Sequence, residues 1–306
     1  WIKGTSRATQ VMPVVFVHNQ PQRFPQAKGK ARYNISGRWA ATFGDEDAIT
    51  EFKQKGNRLS GTVITPTGDY RYLEGVVHQD TLLLSTFDGS HAYYFRGVIK
   101  DSTIHDGLFI SGPVYREQWT AVKNEQATLP DTIAAAYMKP GEERLNFRFP
   151  DLDSNMVSIH DERFRNKVVV IQLMGSWCPN CMDETAFLSE YYNANKQRGV
   201  EMIALAYEYS TDFQRSKKSL SKFRSHFNIQ YPILITGVRA GDSLRTEKTL
   251  PQMTRIKMFP TTLFIGRDGK VKKIDTGFKG PGTGEHYEAY KKEFYATMDE
   301  LLKQPS

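Results

Sequence analysis

Cys178 and Cys181 are the only cysteines in 306 residues. They stand in Trp177-Cys178-Pro179-Asn180-Cys181, behind an apolar run, Val168–Met174, that reads as a buried strand, and at the start of a helical pattern. No further thiol exists for either to pair with. Two thiols placed this way at a strand–helix junction point to redox exchange. Cys178 falls at or beside the helix N-cap, where unpaired backbone N–H groups and the positive end of the helix dipole favour the thiolate, the form that attacks a disulfide. Pro179 suits the first helical position, where a missing N–H costs nothing. Cys181 lies one turn further on, so its sulfur can reach back to Cys178. Cys178 is therefore read as the attacking thiol and Cys181 as the resolving thiol.

Two other readings of C-x-x-C carry less. A structural zinc site wants four ligands, but there is no second C-x-x-C, and His18, His78, His91, His105, His160, His226 and His286 show no ligand-like spacing. A structural disulfide closing so short a loop gains little chain-entropy stabilisation. The expectation is no metal and no cofactor beyond a redox-active Cys178–Cys181 disulfide.

The elements that must hold this motif sit in a chain long enough for about two domains. Lys and Arg number 41 against 34 Asp and Glu, a formal charge of +7. The basic residues are dispersed, which reads as a solvated surface and not as a nucleic-acid site. No apolar stretch approaches the length of a membrane span. The chain opens at Trp1 without an initiator Met, as a processed or truncated protein would, and the expectation is that any signal or membrane tether lies upstream.

Residues 1–124 read as short strands of an antiparallel barrel or sandwich of about eight strands. The candidates are Met12–Val17, Ile35–Phe43, Ile49–Lys53, Arg58–Thr65, Tyr70–Val77, Thr81–Thr86, Ala92–Ile99, Leu108–Ile110 and Tyr115–Val122, with turns such as Lys55-Gly56-Asn57 and Asp88-Gly89 between them. Glycines recur inside these strands at Gly61, Gly75, Gly97 and Gly107, as at bulges or tight bends. A barrel of this size is either filled or hollow. We read it as filled by Trp39, Phe43, Phe52, Phe87, Phe95 and Trp119, with a lipocalin-like ligand cavity as the alternative.

Residues 125–141 read as a linker, with a short helix at Ala134–Ala136, and residues 142–306 change rhythm. Strands at Val157–Ile159, Val168–Met174, Glu201–Tyr207, Tyr231–Ile235, Thr261–Ile265 and Val271–Asp275 alternate with helices at Asn180–Arg198, capped by Gly199, and at Glu285–Lys303. Thr211-Asp212-Phe213-Gln214 reads as a capping box opening a further helix. Gly237–Lys257 is a polar stretch without an assigned element. The order is that of a sheet with helices on its faces.

With Phe259-Pro260-Thr261-Thr262 before the last hairpin, this order resembles thioredoxin. It is more closely similar to the TlpA/ResA-like branch of thioredoxin-fold thiol-disulfide oxidoreductases, over about residues 142–303. The resemblance rests on Phe149-Pro150-Asp151-Leu152-Asp153, on Gly175-Ser176-Trp177-Cys178-Pro179-Asn180-Cys181, on Phe259 through Ile265, and on Asp268-Gly269-Lys270-Val271. It implies a thioredoxin-like α/β fold behind the all-β domain. It also implies a cis bond before Pro260 beside the active-site disulfide, with Phe259 pairing by its backbone to the substrate chain. Trp177 and Pro179, which flank Cys178, are expected to join Phe259 and Pro260 in meeting substrate. Glu184 matches the family's acidic residue three positions past the second cysteine. A carboxylate one turn beyond Cys181 can take or give its proton during resolution, or simply complement the helix dipole. Gln172 stands where thioredoxin carries a buried Asp, Ala186 stands where many relatives have Pro, and Phe259 is bulky for its place.

Members of this branch work in the periplasm or on the outer face of the inner membrane. Many reduce disulfides there, apocytochrome c included, and are recharged by a membrane thiol carrier. A chain without stray cysteines fits such an oxidising compartment. The resemblance thus implies disulfide-bearing protein substrates and a membrane electron donor. An oxidase or isomerase on the same scaffold, a peroxiredoxin-like thiol peroxidase, and a ligand- or partner-binding protein acting through the β domain are the competing readings.

Overall fold

Two periodicities divide the chain: side chains alternate every second residue up to Lys123, and strands and helices interleave beyond it. The computed structural model describes residues 2–4, 9–11, 18–19, 22–27, 29–66, 68–87, 91–129 and 136–304. The strand expected at Met12–Val17, the turn at Asp88-Gly89 and most of the helix at Ala134–Ala136 lie outside the described residues. Two compact units emerge, one of residues 1–133 with 279–287 and one of residues 134–278 with 288–306.

In the first unit, β1 (Ile2–Gly4) and β2 (Thr9–Val11) form a small antiparallel ladder. The main sheet runs through β3 (Gly37–Phe43), β4 (Glu46–Lys55), β5 (Arg58–Thr65), β6 (Gly68–Asp69), β7 (Leu73–His78), β8 (Thr81–Phe87), β9 (Ala92–Lys100), β10 (Thr103–Ser111) and β11 (Tyr115–Lys123). Neighbours in sequence pair antiparallel, except that β5 pairs with both β6 and β7, and β11 returns to β3, so the sheet closes into an eight-stranded barrel and not a sandwich. Closure leaves the main strands without a free edge.

The barrel is filled. Trp39, Phe43, Phe52, Phe95, Phe109 and Trp119 are buried in one cluster, and Phe43 stacks on Trp119 with ring centroids 5.3 Å apart. Both buried indoles find acceptors, Trp39 Nε1 donating to the Ile35 carbonyl at 2.9 Å and Trp119 Nε1 to that of Arg96 at 3.1 Å. Phe87, expected inside, is outside this cluster and half-buried. It shares the odd-numbered register of β8, whose inward residues are Leu82 and Leu84. Of the strand glycines, Gly107 lies in a bulge, where the ladders of β10 shift register. Gly75 serves close approach instead, since a Cβ there would lie 1.8 Å from the Leu83 carbonyl oxygen.

Residues 279–287 group with the barrel unit. There the Gly280 N–H donates to Asp69 at 2.7 Å, and His286 Nε2 lies 3.1 Å from Glu51.

The second unit opens with a hairpin of β12 (Arg148–Pro150) and β13 (Met156–Ser158). Its sheet is ordered β16 (Ile233–Ile235), β15 (Val200–Ala206), β14 (Val168–Met174), β17 (Thr261–Ile265), β18 (Val271–Thr276). The first three strands are parallel, and β17 and β18 are antiparallel additions. The helices are α1 (Pro179–Asn195), α2 (Phe213–His226), α3 (Arg245–Thr249) and α4 (Glu285–Lys303). The central strand β14 is buried along its whole length. Its Val168, Val170 and Met174 pack with α1, α2 and α4, while Val169, Ile171 and Leu173 pack with residues of 145–164 and 240–256. By this alternation Gln172 enters the α1 face, the one polar side chain of the strand.

Two local expectations are corrected. The N-cap of α2 is Asp212, whose carboxylate accepts the Arg215 N–H at 2.6 Å, so Thr211 and Gln214 form no capping box. The stretch Gly237–Lys257 carries α3, a helix too short to show a period in sequence. Gly199 ends the helical segment in the left-handed region at φ 87°.

Candidate active site

Strand β14 delivers the motif to the end of the sheet, and α1 begins there. Cys178 is the N-cap of α1, with extended backbone, and its sulfur accepts the Cys181 N–H at 3.3 Å. Pro179 takes the first helical position. Cys178 and Cys181 form a disulfide, with Cα atoms 5.2 Å apart. Cys178 retains 4% exposure and Cys181 none, so only Cys178 can be met from outside.

Three segments converge on this pair. The first is the loop before α1. Gly175 leaves room for the Trp177 ring, since a Cβ there would fall 2.3 Å from the indole nitrogen. The second is the tripeptide after β15, Tyr207-Glu208-Tyr209. The Trp177 indole N–H donates to the Tyr207 carbonyl at 2.9 Å. The Glu208 carboxylate accepts both the Ser176 N–H and the Ser176 hydroxyl, each at 2.8 Å. Burial pushes the Glu208 carboxyl above its ordinary range, opposed by those two donors. The Tyr209 ring stacks on Trp177 at 4.5 Å while remaining 60% exposed.

The third segment is the loop before β17. The Phe259–Pro260 peptide bond is cis, as the resemblance implied. The Phe259 carbonyl oxygen lies 3.6 Å from Cys178 Sγ. The Phe259 ring meets Trp177 edge-on at 6.1 Å and Tyr207 at 5.1 Å. Arg245 of α3 places its guanidinium 5.5 Å over the Phe259 ring. It also donates to the carbonyls of Ala240 at 2.9 Å, Lys257 at 3.0 Å and Ile256.

Glu184 lies fully buried one turn beyond Cys181. Its carboxylate accepts from Thr262 Oγ1 at 2.7 Å, Gln172 Nε2 at 2.8 Å and the Tyr290 hydroxyl at 3.3 Å. Gln172 Nε2 also reaches the Cys181 carbonyl at 3.4 Å, so one amide ties the resolving cysteine's backbone to the acid. Burial pushes the Glu184 carboxyl up to about 7 against the three donors, and Asp275 raises it further. Such a group takes or releases a proton near neutrality.

The structure thus brings together the predicted residues Cys178, Cys181, Glu184, Trp177, Pro179, Phe259 and Pro260. Sequence reasoning did not assign a site role to Thr262, Tyr290, Glu208, Tyr209 or Arg245. Thr262 was within reach, because it follows Pro260 by two residues in a strand of known period. The others sit on elements whose contacts no local pattern shows.

The Redoxin family matches residues 139–291. A thiol-disulfide oxidoreductase ResA of Bacillus thuringiensis subsp. konkukian is 30% identical over 156 residues, which is 51% of this chain and 79% of that protein. Its counterpart in Geobacillus kaustophilus is 30% identical over 131 residues, covering 42% and 67%. A solved structure titled a putative thiol:disulfide interchange protein DsbE, from Chlorobium tepidum, aligns with TM-score 0.40 and 20% identity over 53% of this chain and 99% of that one. The chain belongs to the Redoxin family, in the TlpA/ResA-like branch of thioredoxin-fold thiol-disulfide oxidoreductases.

Proposed function

We propose that the protein reduces disulfides of other proteins outside the cytoplasm, with the Cys178–Cys181 pair as its only redox group. The observation that carries this reading is the disulfide at the head of α1, with one sulfur reachable, the other sealed, and a buried acid one turn below. In the reduced enzyme the Cys178 thiolate attacks one sulfur of the substrate disulfide, and the other sulfur leaves as a thiolate and takes up a proton. Cys178 is then joined to substrate. Cys181 yields its proton to Glu184 and attacks Cys178 Sγ, expelling the second substrate thiolate. Two electrons have passed from dithiol to substrate, and Cys178–Cys181 is a disulfide again.

The surroundings of Cys178 bear on the direction we propose. Among the described residues, Cys178 Sγ is contacted by one backbone N–H and one carbonyl oxygen, with no Lys, Arg or His side chain bonded to it. The thiolate is favoured by the head of α1 alone, without the added cationic partner that would stabilise the reduced form further and make the pair an oxidant, and this supports the reductant reading. Cysteine economy fits an oxidising compartment, and a membrane thiol carrier is the electron donor that the family resemblance suggests. Among the described residues no helix is long and apolar enough to cross a membrane.

The roles are tested by trapping. Cys181→Ala should accumulate a mixed disulfide through Cys178 that is visible on non-reducing gels and by mass. Cys178→Ala should accumulate none. Equal trapping by the two variants would contradict the assignment.

A further inference from the structure

The stretch between β16 and the cis-proline loop has a composition that the exchange chemistry does not require. Residues 237–257 contain five basic residues, Arg239, Arg245, Lys248, Arg255 and Lys257, against Asp242 and Glu247. Lys248 is matched to Asp242 at 2.7 Å. Arg239, Arg255 and Lys257 are exposed and make no ion pair among the described residues. Arg245 gathers them. The carbonyls it binds, those of Ala240, Ile256 and Lys257, belong to or adjoin all three of these residues. Burial and the neighbouring Arg255 together lower the proton affinity of the Arg245 guanidinium, which places Arg255 within its electrostatic reach.

The location of this charge gives it a use. Arg245 lies over the Phe259 ring, Lys257 precedes Phe259 by two residues, and the Phe259 carbonyl is 3.6 Å from Cys178 Sγ. Beside Phe259, Trp177 and the exposed Tyr209 ring form a stacked aromatic platform. The acids near the dithiol are withdrawn from this surface: Glu184 is fully buried, and Glu208 is spent on Ser176. Glu247 on α3 is the one exposed carboxylate of the stretch outside the Lys248 pair. A chain that extends past Phe259 therefore meets net positive charge, and one that passes Trp177 meets aromatic surface.

We propose that residues 237–257, with Trp177 and Tyr209, form a docking surface for an extended protein segment whose disulfide cysteine is flanked by acidic side chains. The inference rests on the reading of the protein as a disulfide reductase and adds the substrate class. Opposite charge raises encounter rates and disfavours basic competitors, and the advantage is screened by salt.

The test is single-turnover reduction by the fully reduced protein. Two substrates are used, disulfide-linked homodimers of a one-cysteine peptide with either Glu or Lys on both sides of the cysteine. Thiol release is divided by the rate with dithiothreitol, because flanking charge alters the disulfide's own reactivity. At low ionic strength the Glu peptide should react about tenfold faster, and the advantage should fade at about 0.5 M salt. The double variant Arg255→Glu/Lys257→Glu should turn the preference toward the Lys peptide, a gain that misfolding cannot mimic. Equal rates for the two peptides, or a faster Lys peptide with the unaltered protein, would overturn the docking surface and leave the reductase reading standing. Reduction of neither peptide would overturn both.

Discussion

Glu184 is a carboxylate whose burial and bonding work against each other. Full burial disfavours its charge, while Thr262, Gln172 and Tyr290 donate to it, and the balance leaves it titrating at about 7. An acid whose pKa is raised on folding holds more protons in the folded state than in the unfolded one. Its contribution to stability is therefore largest below its ordinary carboxylate pKa, falls as pH rises toward 7, and is flat above that. Glu184→Gln should remove this fall, worth up to about 3 kcal/mol, which urea melts between pH 4 and 8 would read. The same variant should slow the resolving step and remove its pH dependence near 7, measured as the decay of the mixed disulfide. An unchanged pH profile would deny Glu184 its proton role. The position of this acid was legible in the sequence, because one helical turn past Cys181 is a fixed place. Its partners were not: Gln172, Thr262 and Tyr290 stand 12, 78 and 106 residues away, on β14, β17 and α4. A donor brought in by tertiary packing leaves no local periodicity.

At the scale of elements, the attacking cysteine owes its position to the end of a neighbouring strand. β15 runs parallel to β14, so its last residues emerge beside the motif. Tyr207 holds Trp177, Glu208 holds Ser176, and Tyr209 covers the indole. Glu208→Ala leaves the half-buried Ser176 N–H without its charged acceptor and should cost about 1–3 kcal/mol in chemical denaturation. It should also slow attack by Cys178 in single-turnover assays. Glu208→Gln, whose amide oxygen still accepts that N–H, should keep most of both. If Ala and Gln behave alike, the brace is not built on the Ser176 bond. Long periodic elements were plain in the sequence: α4 spans Glu285–Lys303 and β14 spans Val168–Met174, each as read from its pattern. The brief ones were not. α3 has five residues, too few for an apolar stripe, and it is held by the bonds of Arg245 and not by helix propensity. The capping residue of α2 was misplaced by one, because Thr211 and Asp212 are both good N-caps and only geometry chooses between them.

For the whole molecule, two different ways of making a core stand in one chain. The barrel is closed and filled with its own rings, which answers the filled-or-hollow alternative that strand patterns leave open. The α/β unit buries a central strand on both faces and brings its chemistry to one end of the sheet, where three loops meet. Sequence showed where the rhythm changes but not that residues 279–287 join the barrel unit, since that depends on contacts such as Gly280 with Asp69 across 211 positions. The reduction potential of Cys178–Cys181 decides whether the protein acts as the reductant we propose. The full chain is equilibrated against thiol buffers of defined potential, with the oxidised fraction read by alkylation and mass. With no cationic side chain bonded to the Cys178 sulfur among the described residues, the reductase reading predicts a value near or below about −230 mV. A value near about −120 mV would contradict the account and make the protein a disulfide donor.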